Sequence, residues 1–165
     1  MYVEKIRKHP MARALRICKI TASILEETIK TYVKDEHEEK IPVLKMIQTS
    51  MADLYHRAVT LKDIMKAQDK KGIFNIRVVK GESYIGGGAY PGIGLGTYML
   101  SVKSGYSPSK VEKLFRTYIV PVIARVHEDE VLLDLRTVFE QEFTIIKQAF
   151  QRVIKEMPRV KYERN

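Results

Sequence analysis

The sequence has one cysteine, Cys18, in 165 residues. A single thiol excludes an internal disulfide and cannot build a cysteine-based zinc site, so the expected setting is a reducing cytoplasm. No apolar run is long enough to cross a bilayer, and no membrane is expected as a partner. The opening MYVEKIRKHP lacks the apolar core that a secretory signal needs. Catalytic signatures are scarce as well. His9, His37, His56 and His127 have no metal-ligand spacing, and each reads as a surface or capping residue. No paired carboxylates, no serine–histidine–aspartate arrangement and no lysine in a signature context emerges. The residues alone therefore compose neither a metal site nor a complete catalytic site.

What is present is a globular balance, with 45% apolar and 30% charged residues, which is too little bias for disorder and enough for one main domain with a core. The formal charge of +9 favours a polyanionic partner, because clustered Lys and Arg release counterions from phosphates. A merely soluble basic surface explains the same charge, and no basic run with interleaved aromatics decides between them.

Residues 3–9 read as the tail of an amphipathic helix with Val3 and Ile6 on one face and nothing before them to cap it, so the chain is expected to begin in mid-element. Pro10 suits the first position of a long helix carrying Ile24, Leu25, Thr28, Ile29, Tyr32 and Val33 on one face. The run KDEHEEK, 34–40, reads as a solvated loop. Ser50 and Asp53 form a capping box for a helix that turns Met51, Leu54, Tyr55, Ala58, Leu61 and Met65 inward. Alternation at Phe74, Ile76 and Val78, and again at Tyr98, Leu100 and Val102, predicts two strands. Ser107 and Pro108 open a helix that buries Val111, Leu114, Phe115 and Tyr118. PVIARVHEDEVLLDL reads as a hairpin about Glu128–Asp129–Glu130, in which Asp134 and Arg136 face away from the core in a structural role. Thr137 and Glu140 are expected to cap a last helix with Phe139, Phe143, Ile146, Phe150, Val153 and Met157 inward.

This order predicts an α+β fold in which helices cover one face of a small, mostly antiparallel sheet. The expected organisation is a helical segment over 1–70, an α+β domain over 71–157 and a basic tail over 158–165.

Two features invite a functional reading. The stretch SYIGGGAYPGIGLGTY lacks the lysine of a phosphate-binding loop and leads into a strand rather than a helix, so it reads as a connection whose glycines supply backbone freedom. Arg13 and Arg16 stand one helical turn apart near the start of the helix begun by Pro10, where cations oppose the macrodipole. An anion between them would reverse that sign, which suggests an anion clamp; a solvated basic face is the alternative. Cys18 reads as a small buried hydrophobe.

The segments EKIRKHPMARALRICKITASILEETIKTY, IPVLKMI, SYIGGGAYPG and PVIARVHEDEVLLDLRTV resemble the C-terminal part of the bacterial selenocysteine synthases, the L-seryl-tRNA(Sec) selenium transferases. The resemblance implies the small C-terminal domain of a fold-type I enzyme dependent on pyridoxal 5'-phosphate. It implies conversion of seryl-tRNA(Sec) to selenocysteinyl-tRNA(Sec) with selenophosphate, by a homo-oligomer arranged as a ring of dimers. The Schiff-base lysine of the family lies before the segment matching residues 2–16. The 165 residues alone are therefore expected to be inactive, to hold no catalytic residue and to bind no cofactor. Arg13 and Arg16 match arginines that hold the phosphate-like group of the selenium donor, and Gly86, Gly87 and Gly88 form a candidate active-site loop. Cys18 departs from an aspartate expected in many relatives. Two alternatives are a related pyridoxal-phosphate enzyme acting on a small amino acid or amino sugar phosphate, and a stand-alone basic RNA-binding module.

Overall fold

The computed structural model describes residues 2–86, 92 and 94–157. The chain divides into two compact units, Met1–Gln48 and Thr49–Asn165.

The first unit is built of helices α1 (Tyr2–Lys8), α2 (Met11–Ala14), α3 (Lys19–Val33), α4 (His37–Lys40) and α5 (Pro42–Gln48). The long helix expected from Pro10 is interrupted. Leu15 closes α2 by donating its N–H to the Met11 carbonyl, and Cys18 then adopts an extended backbone and caps α3. Cys18 is exposed rather than buried. The 34–40 run is not all loop: Asp35 takes a left-handed φ of 57°, which turns the chain and lets α4 begin. None of these five helices carries a buried residue, although the α3 residues foreseen on one apolar face do share a side.

The second unit holds the core. Helix α6 (Met51–Gln68) starts where Ser50 Oγ accepts the Asp53 N–H at 3.1 Å, the cap that the sequence foretold. It buries Leu54, Ala58, Leu61 and Met65, whereas Met51 and Tyr55 lie on its exposed flank. Helix α6 packs on the sheet and lies in the same compact unit as the strands, whereas the sequence reading grouped it with the segment 1–70.

The sheet has the order β1-β2-β4-β3 and is antiparallel throughout the described residues, with β1 Phe74–Tyr84, β2 Gly94–Ser104, β3 Arg125–His127 and β4 Glu130–Asp134. Helices α6, α7 (Pro108–Arg116) and α8 (Phe143–Glu156) cover one face, so the α+β arrangement is as the pattern predicted. Ile76, Leu100, Val102, Val131 and Leu133 point to that face and meet Val111, Phe115, Ile146, Phe150 and Val153. Phe150 sits between Phe74 and Phe115, at ring-centroid distances of 5.1 and 6.3 Å.

The entry to α8 differs in detail from the expected Thr137–Glu140 cap. Thr137 Oγ1 donates to the Asp134 carbonyl instead, and Glu142 accepts the Phe139 N–H at 2.7 Å across a 3-10 turn, Glu140–Glu142.

Candidate functional site

Arg13 lies in α2 and Arg16 in the non-helical link before α3, so they do not stand on one continuous helix. A four-residue helix has too few aligned peptides to offer an anion a developed positive end, and the macrodipole argument for the two arginines lapses. Their availability does not. Both are exposed, and among the described residues neither guanidinium makes an ion pair or hydrogen bond. Their segment is the most basic in the chain: Lys5, Arg7, Lys8, Arg13, Arg16 and Lys19 are offset by Glu4 alone.

Cys18 connects these arginines to α3. Its Sγ accepts the Thr21 N–H at 3.4 Å and lies 3.2 Å from Thr21 Oγ1. Those two contacts, the hydroxyl first, hold the thiol below its ordinary pKa. The aspartate that the resemblance leads one to expect here is a stronger N-cap than a thiol, and it would make the same two contacts.

The glycine stretch lies partly outside the described residues, Gly87 and Gly88 among them. Gly86 is described, and a Cβ there would meet nothing within 4 Å. Gly92 takes a φ of +85°, which a residue with a side chain adopts only under strain.

Below this stretch the structure assembles polar groups that the sequence did not join. The β2–β4 ladder runs from Val102 to Met99, so beyond Met99 the β1–β2 hairpin continues as a two-stranded arm. Such an arm is marginal in water unless something braces it. Asp134 is the brace. Its carboxylate accepts from Ser83 Oγ at 2.5 Å, Thr97 Oγ1 at 2.8 Å, Arg125 Nη2 at 3.3 Å and the Arg136 N–H at 3.0 Å. Arg125 also donates to the Glu82 carbonyl, and the Leu135 N–H to the Tyr98 carbonyl. Arg136, expected to face away from the core in a structural role, is buried. It is 6% exposed, and its side chain donates to the carbonyls of Gly96 and Thr49. Burial pulls its pKa down and the nearby Asp134 charge opposes that shift. The alternation LLDLR places both polar residues beside the strand, but which hydroxyls and carbonyls they meet is set by strand pairing across distant sequence.

A second polar group sits on the uncovered sheet face. Ser101, fully buried, donates to Glu130, and Arg77 reaches the other oxygen of the same carboxylate. The serine bond is the main cause holding Glu130 below the usual carboxylate pKa, with the Arg77 charge adding to it.

Three clefts accompany these features. One, of about 370 Å³, is lined by Ile17, Ala22, Leu25, Ile29 and Val33 with Glu26, Lys30 and Lys34. Another, of about 550 Å³, lies between α3 and the start of α5, and the third, of about 360 Å³, lies over Ser83, Arg125 and Asp134. No helix among the described residues is long and apolar enough to cross a membrane.

Comparison with known proteins gives a consistent result. A family model described as L-seryl-tRNA selenium transferase matches residues 1–139. The L-seryl-tRNA(Sec) selenium transferase of Clostridium botulinum strain Hall is 41% identical over 157 residues, covering 93% of this chain and 33% of that protein. The corresponding proteins of Alkaliphilus oremlandii and Aquifex aeolicus are 35% and 36% identical, covering 93% and 92% of this chain and 33% of each of theirs. The chain thus spans about a third of the length of the curated relatives it matches.

Proposed function

This chain belongs to the L-seryl-tRNA selenium transferase family, and from that membership we propose that it is the C-terminal third of an enzyme that converts seryl-tRNA(Sec) to selenocysteinyl-tRNA(Sec). The observation that carries this reading is identity spread over 93% of the chain to proteins of that activity. The selenium donor is selenophosphate, the cofactor pyridoxal 5'-phosphate, and the enzyme a cytoplasmic homo-oligomer of fold type I.

The described residues do not compose a site for that cofactor. Arg13 and Arg16 are exposed, and neither lines any of the three clefts together with a lysine. The cofactor would supply the electron sink for loss of the serine hydroxyl, and on this reading residues outside these 165 would hold it. The chain's own contribution is charge and placement. Arg13 and Arg16 receive the phosphate group of the donor, a role supported by two guanidinium groups with no internal acid to neutralise them. The braced arm bearing Gly86 borders the substrate, and the net charge of +9 favours approach of the tRNA.

The test joins these 165 residues to the N-terminal two thirds of the Clostridium botulinum relative, in place of that protein's own last third. The joined polypeptide is expected to make selenocysteinyl-tRNA, and the 165 residues alone are not. Arg13→Ala and Arg16→Ala should each raise the KM for selenophosphate about tenfold or more, the worth of a lost charge-assisted hydrogen bond. Turnover by the 165 residues alone, or an unchanged KM in both variants, contradicts the reading.

A further inference from the structure

The second unit carries its net charge at one end. Residues 62–80, which comprise the last part of α6, the turn after it and most of β1, hold six basic residues and two acidic ones, whereas the other residues from 49 to 157 hold as many acids as bases. Both acids are engaged: Asp63 with Lys62 at 3.4 Å, and Asp69 with the N–H groups of Ile73 and Phe74 at 3.0 and 2.7 Å. Lys66, Lys70 and Lys80 are exposed, and among the described residues they make no ion pair. Other helices pair a base with an acid four residues away, as Lys30 with Glu26, Arg116 with Glu112 and Arg152 with Glu156. In α6 the residue four after Lys62 is Lys66, a repulsive spacing.

These groups share one side of the unit. Gln68 accepts from Gln151 at 2.7 Å and Arg57 reaches Glu140 at 3.9 Å, so the flank of α6 that carries them faces α8. Tyr55, Val59, Lys62 and Lys66 recur on the opposite flank. Helix α8 touches both α6 and α7, and α6 packs on β1 and β2, so that opposite flank looks out past β1, which has β2 as its one strand neighbour among the described residues. Lys80 follows Phe74, Ile76 and Val78 in alternation and stands on the helix-bearing side of β1. It pairs in register with Tyr98, whose ring packs on that of Tyr55 at 5.1 Å. Tyr55 is half-exposed, which leaves part of its ring open beside the lysines. A single lysine on an edge strand guards that edge against pairing, but a helix has no edge to guard.

We propose that this side of the second unit, Lys62, Lys66, Lys70 and Lys80 about Tyr55, is a contact surface for the phosphate backbone of RNA. The inference rests on the family reading above, on which that RNA is the seryl-tRNA, and it adds where on this chain the tRNA is gripped. Lysine ammonium groups are compact charges that meet phosphates without a fixed geometry, and a tyrosine ring beside them accepts any base by stacking.

The test is equilibrium binding. The joined polypeptide described above is titrated with tRNA(Sec) at several salt concentrations. The triple variant Lys66→Ala, Lys70→Ala, Lys80→Ala should bind about tenfold or more weakly, and its slope of log affinity against log salt should be shallower by about 2–3. Tyr55→Leu removes a stacking face and no charge, so it should weaken binding about fivefold at an unchanged slope. A control triple on α7 and α8, Lys110→Ala, Lys113→Ala, Lys155→Ala, removes the same charge and should stay within about twofold of wild type. All six lysines are exposed, so melting should be the same in both triples. Equal weakening by the two triples overturns the proposal, because net charge and not this side is then what binds. An unaltered slope in the first triple also overturns it, as does polyglutamate that competes as well as the tRNA at equal charge. A joined polypeptide that binds tRNA through these lysines but makes no selenocysteinyl-tRNA leaves the surface standing and counts against the functional reading alone.

Discussion

Helices α3 and α6 both repeat apolar residues at helical spacing, yet only the unit that holds α6 buries them. In α6 the repeat buries Leu54, Ala58, Leu61 and Met65 against a sheet, whereas the comparable repeat in α3 leaves every residue at least partly exposed. Amphipathic spacing therefore states that a helix will be covered and on which side; it does not state by what. The sheet supplies α6 with its cover through β1 and β2, which follow it in sequence. Within its own unit nothing comparable is available to α3.

A matched pair of truncations would break that contrast most directly. Leu61→Ala, at a fully buried site, should cost about 2–5 kcal/mol in chemical denaturation. Leu25→Ala, the same deletion at 51% exposure, should stay within about 0.5 kcal/mol. Equal losses at the two positions would mean that the first region has a core of its own.

Next in size is Asp134→Ala. It strands the hydroxyls of Ser83 and Thr97, each buried, and should cost about 1–3 kcal/mol. Hydrogen exchange should rise first at the arm, residues 81–86 and 94–98, because there β2 has β1 as its one strand neighbour. Exchange rising uniformly over the sheet would show that Asp134 does not brace the arm in particular. Ser50→Ala should cost about 1 kcal/mol through loss of the α6 cap, read as a lower melting temperature.

The smallest effect is pH-dependent. Glu130 has a folded-state pKa below its unfolded value, so its contribution is present above the ordinary carboxylate range and is lost as pH falls through the folded value. Glu130→Gln should flatten that part of the acid limb of stability, and an unchanged acid limb would remove Glu130 as one of its causes.

Much of the second region was legible in the sequence. Alternation at Phe74–Val78 and Tyr98–Val102, the Ser50 cap and the 3–4 spacing in α8 all act between near neighbours, and each produced the element it foretold. What could not be read is non-local. Asp134 and Arg136 looked outward because strand alternation says so, but Arg136 lies past the end of β4, where it turns in to the Gly96 and Thr49 carbonyls. The break between α2 and α3 escaped notice because Leu15, Arg16 and Ile17 are all compatible with a helix. Cys18, a weaker cap than the residues usual at that position, gives little warning of the start it makes. The arginines survive that correction on different grounds, their freedom from acids rather than their helix.

Hydrogen exchange across the isolated 165-residue chain tests the contrast between the two regions in one measurement. Amides of α6, α8 and the central strands should exchange at rates set by global unfolding, while those of α3 exchange within a short distance of an unfolded peptide, as a 15-residue helix without a partner surface does. Protection in α3 equal to that in α6 would contradict the account, because the first region would then be complete without any further cover.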